Sequence, residues 1–308
     1  MDVRALARRS VEVIRGGQAS SGAYVASPTF EPYRYSWLRD GSFIADAMSR
    51  VGEVESAEAF YDWCSRVILA RRKRPWLAAR YTLDGGDDAS EWALLQHDGY
   101  GLWLWALRGH CARHGRPAER WREAVDVTAA YLVRVWREPC TDWWEEREGH
   151  HAATLACIAA GLRAWEIDEE VDLGLGEDRT DASRLVLVPL GLDGAEVVER
   201  VERELVSPGG GVHRHREDVY YGGGEWLLLT ALAGWAYALT GSTPRATEKL
   251  DWVAAHASPE GEMPEQSQDN LLHPDSWHPW VDQWGPPPCP LLWSHAMFLT
   301  LAHELGEV

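Results

Sequence analysis

A short run of aromatic and acidic residues is the clearest candidate for chemistry in this sequence. Residues 141–149 read Thr-Asp-Trp-Trp-Glu-Glu-Arg-Glu-Gly, so two tryptophans lead directly into Glu145 and Glu146. Aromatic faces bind the apolar faces of sugar rings, and an apolar environment favours the protonated carboxyl that a general acid needs. The alternative is an acidic helix N-terminus, where the helix dipole favours glutamate. Taken alone, the segment favours the helix terminus.

Other segments combine aromatic and charged residues in a similar way, and they precede predicted helices. Arg39 and Asp40 place a hydrogen-bond donor beside an acceptor, which suits the hydroxyl groups of a ligand. Their alternative role is structural, with Asp40 capping a helix at 41–50 next to an ion pair. Asp98 is expected to cap the following helix rather than to bind a ligand. The segments that share this character are 32–40, 92–98, 142–149, 213–225 and 263–266.

Composition and charge narrow the class of protein. The 308 residues are 45% hydrophobic and include 18 tryptophans, which excludes a disordered chain. A net charge of −18 disfavours nucleic acid, anionic membranes and strongly acidic substrates, so a neutral ligand is expected. Five scattered cysteines without a CxxC pair predict reduced thiols. Because neither a signal peptide nor an apolar run of ~20 residues is visible, a cytoplasmic protein is expected.

Helical periodicity runs through most of the chain and predicts an all-α protein. Helices that are apolar all round alternate with amphipathic helices, which is typical of inner helices wrapped by outer ones in an (α/α)6-type toroid of helical hairpins. No linker divides the chain, so a single domain covering 1–308 is expected. The predicted inner helices are 98–114, 149–165, 224–240 and 291–305, and the outer ones are 53–72, 117–137, 195–206 and 244–257, with a long loop at 258–290.

Six motifs in a fixed order carry a resemblance to a known family. Together they resemble glycoside hydrolase family 15, the glucoamylase-type inverting α-glucosidases, from Tyr33 to the C-terminus. The motifs are Tyr33-x-Tyr35-x-Trp37-x-Arg39-Asp40, Gln96-x-Asp98-Gly99 with Trp92 ahead of it, Asp142-Trp143-Trp144-Glu145-Glu146, Arg214-x-x-Glu217-Asp218-x-Tyr220-Tyr221, Pro264-Glu265-Gln266 and Leu292-Trp293-Ser294-His295-Ala296.

The resemblance implies a pair of catalytic carboxyl groups. Glu145 would be the general acid, and Glu265, in the polar loop 261–266, would be the general base that activates water. Without the resemblance, Glu265 would be read as a solvated loop carboxylate. The implied reaction needs neither a metal nor a cofactor, and no His, Cys or Asp cluster has zinc-like spacing.

The resemblance also implies a set of residues that bind the sugar. Arg39 and Asp40 would hold the outer hydroxyl groups of the non-reducing glucose, so that exo action follows. Arg214 would donate to the sugar, and Asp218 would either orient Arg214 or contact the sugar. The remaining implied residues are Tyr33 and Trp37 on the glucose ring, and Trp92, Trp144 and Glu146 around the acid and the leaving group.

Departures from the family pattern bear on substrate and fold. His215-Arg216 replace the Tyr-Pro of the family, and Glu225 replaces a Pro. The sequence therefore does not determine which leaving group the site accepts. The segment after Trp165 is short, so one outer helix is expected to be missing and eleven helices to remain. Without a starch-binding module, a short neutral α-glucoside of the maltose or isomaltose type is the expected ligand.

Two alternatives to this interpretation stay open. One is a trehalase of the same family, although Glu145-Glu146-Arg147-x-Gly149 favours the glucoamylase side. The other is a non-catalytic sugar-sensing toroid, which the presence of both Glu145 and Glu265 disfavours. The sequence makes no prediction of oligomeric state.

Overall fold

The fold is built almost entirely from helices, as a computed structural model of the chain shows. The structure describes residues 1–90, 92, 95–175, 179–192 and 194–308. Within these residues there are eleven α-helices: α1 (Val3–Gly16), α2 (Leu38–Arg50), α3 (Val54–Ala70), α4 (Asp98–His114), α5 (Arg122–Val135), α6 (Ala152–Ala164), α7 (Ala195–Leu205), α8 (Leu227–Leu239), α9 (Thr243–Ala255), α10 (Trp277–Trp284) and α11 (Leu292–Glu304).

Short two-residue strands tie loops together beside the helices. They are β1 (Ser36–Trp37), β2 (Arg80–Tyr81), β3 (Cys140–Thr141), β4 (Glu148–Gly149), β5 (Glu225–Trp226) and β6 (Gln266–Ser267). Each pairs antiparallel with one partner, as β1 with β2, β3 with β4, and β5 with β6. The first ladder places Trp37 opposite Arg80. These ladders hold the segments that carry candidate site residues.

The chain divides into two compact units, Arg15–Glu177 and Met1–Ile14 with Asp178–Val308. In the unit formed by 15–177, α4 crosses α6 at a point where two glycines meet. A Cβ added to Gly101 would lie 2.3 Å from the carbonyl oxygen of Cys157, and one added to Gly161 would lie 2.4 Å from the carbonyl oxygen of Gly101. The helices pack backbone to backbone because neither position carries a side chain.

The other unit is centred on α8, which is buried along most of its length because it is apolar on every side. It packs against α9 and against α11. A polar contact joins α11 to α1, since the Nδ1 of His295 lies 2.9 Å from the hydroxyl of Ser10, both fully buried. The prediction that 1–308 is one domain stays a prediction.

Several predicted boundaries differ from the structure. Helix α2 begins at Leu38, so Arg39 and Asp40 lie in its first turn and Asp40 does not cap it. Trp37 ends strand β1 in an extended conformation, and the helix starts at the next residue. An acidic residue in a first turn is still favoured by the helix dipole. The capping prediction for Asp40 was therefore wrong.

The predicted loop contains a helix, and the short segment after Trp165 contains 3-10 turns. Helix α10 lies inside the predicted loop 258–290, where its Trp277 and Trp280 rings pack on Tyr221 at 5.9 and 5.7 Å. Between α6 and α7, the described residues hold 3-10 helices at Leu173–Leu175 and Ala182–Leu187 and no α-helix. The loss of an outer helix relative to the family stays a prediction. The eleven helices counted include α10, which the sequence did not predict.

The prediction of an all-α protein is confirmed by these elements. No helix among the described residues has both the length and the apolar character needed to cross a membrane.

Candidate active site

Glu145 lies in the turn between β3 and β4. Its backbone adopts the left-handed region with φ of 62°, which is uncommon for a residue other than glycine. Asp142 holds the turn, because its Oδ1 accepts the backbone N–H of Glu146 at 2.9 Å and that of Arg147 at 3.3 Å. Since α6 begins later, at Ala152, the alternative of an acidic helix N-terminus is wrong.

Two indole groups hold the carboxylate of Glu145. The Nε1–H of Trp37 donates to Oε1 at 2.8 Å, and the Nε1–H of Trp92 donates to Oε2 at 2.6 Å. Both oxygens of this half-buried carboxyl group are therefore in directed contacts with aromatic side chains. Donors to both oxygens stabilise the carboxylate that is left when the group gives up a proton. The arrangement suits a general acid whose orientation matters.

Arg39 and Asp40 form a buried charged pair near the acid. The Nε of Arg39 lies 3.4 Å from Oδ1 of Asp40, and its Nη1 donates to Oδ2 of Asp98 at 3.2 Å and to Oε1 of Gln96 at 3.0 Å. Burial raises the pKa of Asp40 to about 7; the cation of Arg39 opposes this rise, while Glu145 and Asp98 add to it. A donor and an acceptor thus lie side by side.

Gln96 and Asp98 have roles that the sequence did not predict. Asp98 is the first residue of α4, directly after the N-cap residue His97. Its Oδ1 accepts the backbone N–H of Gly99 at 2.8 Å, and its Oδ2 accepts from Arg39 at 3.2 Å. Gln96 links Arg39 to the turn that carries Glu145: its Oε1 accepts from Arg39, and its Nε2 donates to the carbonyl of Asp142 at 2.5 Å. Gly99 permits the start of α4 to approach the start of α2, because a Cβ at position 99 would lie 2.6 Å from the backbone nitrogen of Arg39.

The other predicted residues of this unit surround the same turn or the same aromatic group. The Tyr33 ring packs edge-on against Trp37, with ring centres 5.6 Å apart. Trp144 packs in the same way on Trp143, at 6.3 Å. Glu146 is exposed and is fixed through its backbone N–H. The structure therefore gathers the contacts of Tyr33, Trp37, Trp92 and Glu145 into one cluster.

Arg214 belongs to the other unit and is held by a carboxylate. Its Nε and Nη2 donate to the two oxygens of Asp218 at 2.8 and 2.5 Å, the fork geometry of a bidentate pair. Its guanidinium lies over the rings of Tyr220 and Trp226, at 5.2 and 5.0 Å. Of the two roles left open for Asp218, the geometry supports the orientation of Arg214.

Glu265 is buried on a segment that α11 holds in place. The backbone N–H of Met263 donates to Nε2 of His295 at 3.0 Å, and the hydroxyl of Ser294 donates to the carbonyl of Pro264 at 2.9 Å. Burial, and after it the charge of Glu265, raise the pKa of Tyr221 to about 12. The motif around Ser294 is thus explained by its support of the Glu265 segment.

Of the residues that depart from the family pattern, His215 and Glu225 are buried and Arg216 is exposed. Glu225 is fully buried, and its Oε1 accepts the backbone N–H of Gly211 and the side-chain N–H of Asn270, both at 3.2 Å, and the hydroxyl of Ser207. His215 is also buried, with Nδ1 3.5 Å from the exposed carboxylate of Glu217. Glu225 therefore braces two loops beside β5.

Comparisons with known proteins show which family and which solved structures this chain is similar to. The family model described as glycosyl hydrolases family 15 matches residues 12–88 and 79–174. An isomaltose glucohydrolase of Kribbella flavida is 41% identical over 98% of this chain and 92% of its own length. A solved glycosidase variant in complex with glucose is 39% identical, with a TM-score of 0.93 over 99% of this chain and 97% of that one.

The fold extends to more distant solved structures. A bacterial glucoamylase complexed with acarbose is 18% identical, with a TM-score of 0.78 over 98% of this chain and 55% of that one. This likeness confirms the predicted (α/α)6 fold class. The family match and the identity to the Kribbella flavida protein together carry the assignment. The chain belongs to glycosyl hydrolases family 15 and is a glycoside hydrolase.

Proposed function

We propose that this enzyme is an inverting, exo-acting α-glucoside hydrolase that releases β-glucose from the non-reducing end of short isomaltose-type saccharides. Glu145 is the general acid and Glu265 is the general base in this proposal. The observation that carries it is the pair of indole N–H groups that hold both oxygens of Glu145 beside Arg39 and Asp40.

The acid step uses the geometry around Glu145. Its carboxyl proton passes to the glycosidic oxygen as the bond from that oxygen to C1 breaks. The carboxylate that remains keeps its two indole donors, so the charge that develops there is met by preorganised dipoles. The half-buried position of Glu145 supports contact with a substrate.

The sugar is bound by the charged pair at the start of α2. Arg39 donates to, and Asp40 accepts from, the outer hydroxyl groups of the terminal glucose, with Tyr33 and Trp37 beside the ring. Gln96 and Asp98 orient Arg39, so the donor is positioned before the substrate arrives. Trp144 and the exposed Glu146 serve the leaving group.

The base step completes an inverting displacement. Glu265 takes a proton from the water that attacks C1 on the face opposite the leaving oxygen, and β-glucose results. Arg214, held rigid by Asp218, donates to the same sugar. The match to a family of inverting enzymes supports this stereochemistry.

The linkage is inferred from a relative. The protein of Kribbella flavida is named an isomaltose glucohydrolase, and its similarity spans nearly the whole of both chains. An α-1,6-linked disaccharide is therefore the proposed substrate, ahead of maltose and trehalose.

A disaccharide panel tests the proposal. The enzyme is incubated with isomaltose, maltose and trehalose, and the first product anomer is followed by NMR. The expected outcome is the highest kcat/KM on isomaltose, with β-glucose formed first. A first product of α-glucose would exclude inversion, and a preference for trehalose would establish the trehalase alternative.

Substitutions test the assigned carboxyl groups. Glu145→Gln and Glu265→Gln are each expected to lower kcat on isomaltose by roughly 1,000-fold or more, with an unchanged circular dichroism spectrum. Glu148→Gln and Glu260→Gln are the matched controls, since both glutamates are exposed and outside the proposed site. Near-normal turnover by either site variant would refute its role.

A further inference from the structure

A buried arginine outside the predicted site lies at the centre of the aromatic cluster around Glu145. Arg80 is 3% exposed and sits in β2 directly opposite Trp37. Its guanidinium lies over three rings, at 4.2 Å from the centre of Tyr35, 4.7 Å from Trp37 and 4.8 Å from Trp92. Contacts of this kind between a cation and aromatic faces are strongest when water is excluded.

Two of those three rings hold the proposed acid. Trp37 and Trp92 donate their indole N–H groups to the two different oxygens of Glu145. The rings come from distant parts of the chain, and Arg80 is the group that both of them face. A shift of either ring therefore turns a hydrogen bond away from Glu145.

The polar contacts of Arg80 fix the segments that carry the rings. Its Nε pairs with the buried carboxylate of Asp88 at 2.7 Å, and its Nη2 donates to the hydroxyl of Ser90 at 3.0 Å. The same hydroxyl accepts the backbone N–H of Trp92 at 3.2 Å. On the other side, Nη1 donates to the carbonyl of Pro32, next to Tyr33, at 3.1 Å. The planar guanidinium fork serves all these partners at once, which a lysine ammonium does not.

From these contacts we infer that Arg80 is a positioning residue for the proton transfer by Glu145, acting through the indole groups of Trp37 and Trp92. The inference rests on the proposed function, in which Glu145 protonates the leaving oxygen. It adds a requirement for a buried cation that touches neither the acid nor the substrate.

The test compares two leaving groups. Isomaltose needs a proton from Glu145, whereas α-glucosyl fluoride releases fluoride from C1 without one, and both need the water that Glu265 activates. The variant is Arg80→Met with Asp88→Asn, which avoids leaving a buried carboxylate unpaired. Its kcat on isomaltose is expected to fall roughly 10- to 100-fold, and its kcat on the fluoride less than about threefold.

Arg71 provides a matched control in the same unit. It is also buried, lies 4.4 Å from the centre of the Tyr81 ring and pairs with Asp87 at 2.8 Å. Its hydrogen bonds with described residues go to Asp87, Val67 and Gly85, and not to the indole groups that hold Glu145. Arg71→Met with Asp87→Asn is therefore expected to keep the wild-type ratio of the two activities.

A conservative variant keeps the test decisive if the double variant does not fold. Arg80→Lys preserves the charge beside Asp88 but not the contact with all three rings. It is expected to show a smaller loss that is still confined to isomaltose. Wild-type kcat on isomaltose for a folded Arg80→Lys, or equal losses on both substrates in the double variant, would overturn the inference.

The proposed function is separated from the inference by Glu145→Gln assayed alongside. If Glu145→Gln hydrolyses isomaltose normally, the proposed function itself fails. If it is inactive on isomaltose while the Arg80 variants behave like the Arg71 control, the positioning role alone is refuted.

Discussion

The two proposed catalytic carboxyl groups have different surroundings. Glu145 is half-buried in a strained turn and receives two indole N–H donors. Glu265 is buried, on a backbone segment held by Ser294 and His295. An inverting displacement needs one proton donor and one proton acceptor, and the two carboxyl groups proposed for these roles are held by different contacts.

The N–H group of Trp92 can be removed while most of its ring is kept. Trp92→Phe deletes the donor to Oε2 of Glu145, so kcat on isomaltose is expected to fall roughly 10-fold. Steady-state assays with isomaltose measure the change. Trp165→Phe is the control, since it also removes an indole hydrogen bond, to the carbonyl of Leu104. An equal loss in both variants would contradict a specific role.

The buried His295, which supports the Glu265 segment, makes the free energy of unfolding depend on pH. Burial, with a smaller contribution from Arg9, lowers the pKa of His295 to about 3, against 6.5 for a free histidine. Between these values the unfolded chain binds the proton and the folded chain does not, so the free energy of unfolding falls as the pH is lowered through this window.

Urea unfolding at several pH values measures this coupling. His295→Gln is expected to reduce the number of protons taken up on unfolding, between pH 6.5 and 4, by about one. Unchanged proton uptake in the variant would show that His295 is not the buried neutral group.

At the scale of elements, close helix contacts and short ladders position the site. The start of α4 approaches the start of α2 at Gly99, which brings Asp98 to Arg39. The ladder between β1 and β2 sets Trp37 against Arg80, and the ladder between β3 and β4 forms the turn of Glu145. Trp37, Arg39 and Glu145 are thus positioned by short ladders and by a close helix contact.

The crossing of α4 and α6 depends on the absence of a side chain at Gly101. Gly101→Ala would press a methyl group into the backbone of Cys157, so the free energy of unfolding is expected to fall by about 1–3 kcal/mol. Gly109 lies in the same helix, and a Cβ added there would lie 3.9 Å from the nearest atom. Gly109→Ala is therefore expected to raise the free energy of unfolding by about 1 kcal/mol. Urea denaturation compares the two, and equal effects would contradict the close packing.

At the scale of the whole molecule, the net charge of −18 sets the long-range field. Such a field repels anionic ligands and leaves uncharged sugars unaffected. The family relationship likewise applies to the whole chain, because the Kribbella flavida relative is matched over 98% of it.

The neutral substrate predicts a weak salt dependence. Raising NaCl from about 50 to 500 mM is expected to change kcat/KM on isomaltose less than about twofold, because an uncharged ligand is not steered by the field. Initial rates at low substrate concentration measure this. A change of roughly 10-fold or more would indicate a charged substrate.

Most helices were predictable because their signal is local. The periodicity of apolar residues identified α4, α6, α8 and α11 to within a few residues. Helix α10 was not predicted because its packing contacts, those of Trp280 with Tyr220 and Tyr221, join residues that are far apart in sequence. The start of α2 was misplaced because the ladder of β1 with a distant strand decides where Trp37 stops being extended.

By itself, the sequence determined the all-α class, the family and the identities of the candidate site residues, because periodicity and motif spacing are properties of neighbouring residues. The tertiary structure decided which groups surround each carboxyl. Trp37 and Trp92 are 108 and 53 positions from Glu145, yet both donate to it. Arg80 belongs to none of the six sequence motifs. Its strand register and its buried contacts with three rings place it beside the groups that hold Glu145. Contacts across such separations depend on how the elements pack, and no local pattern encodes them.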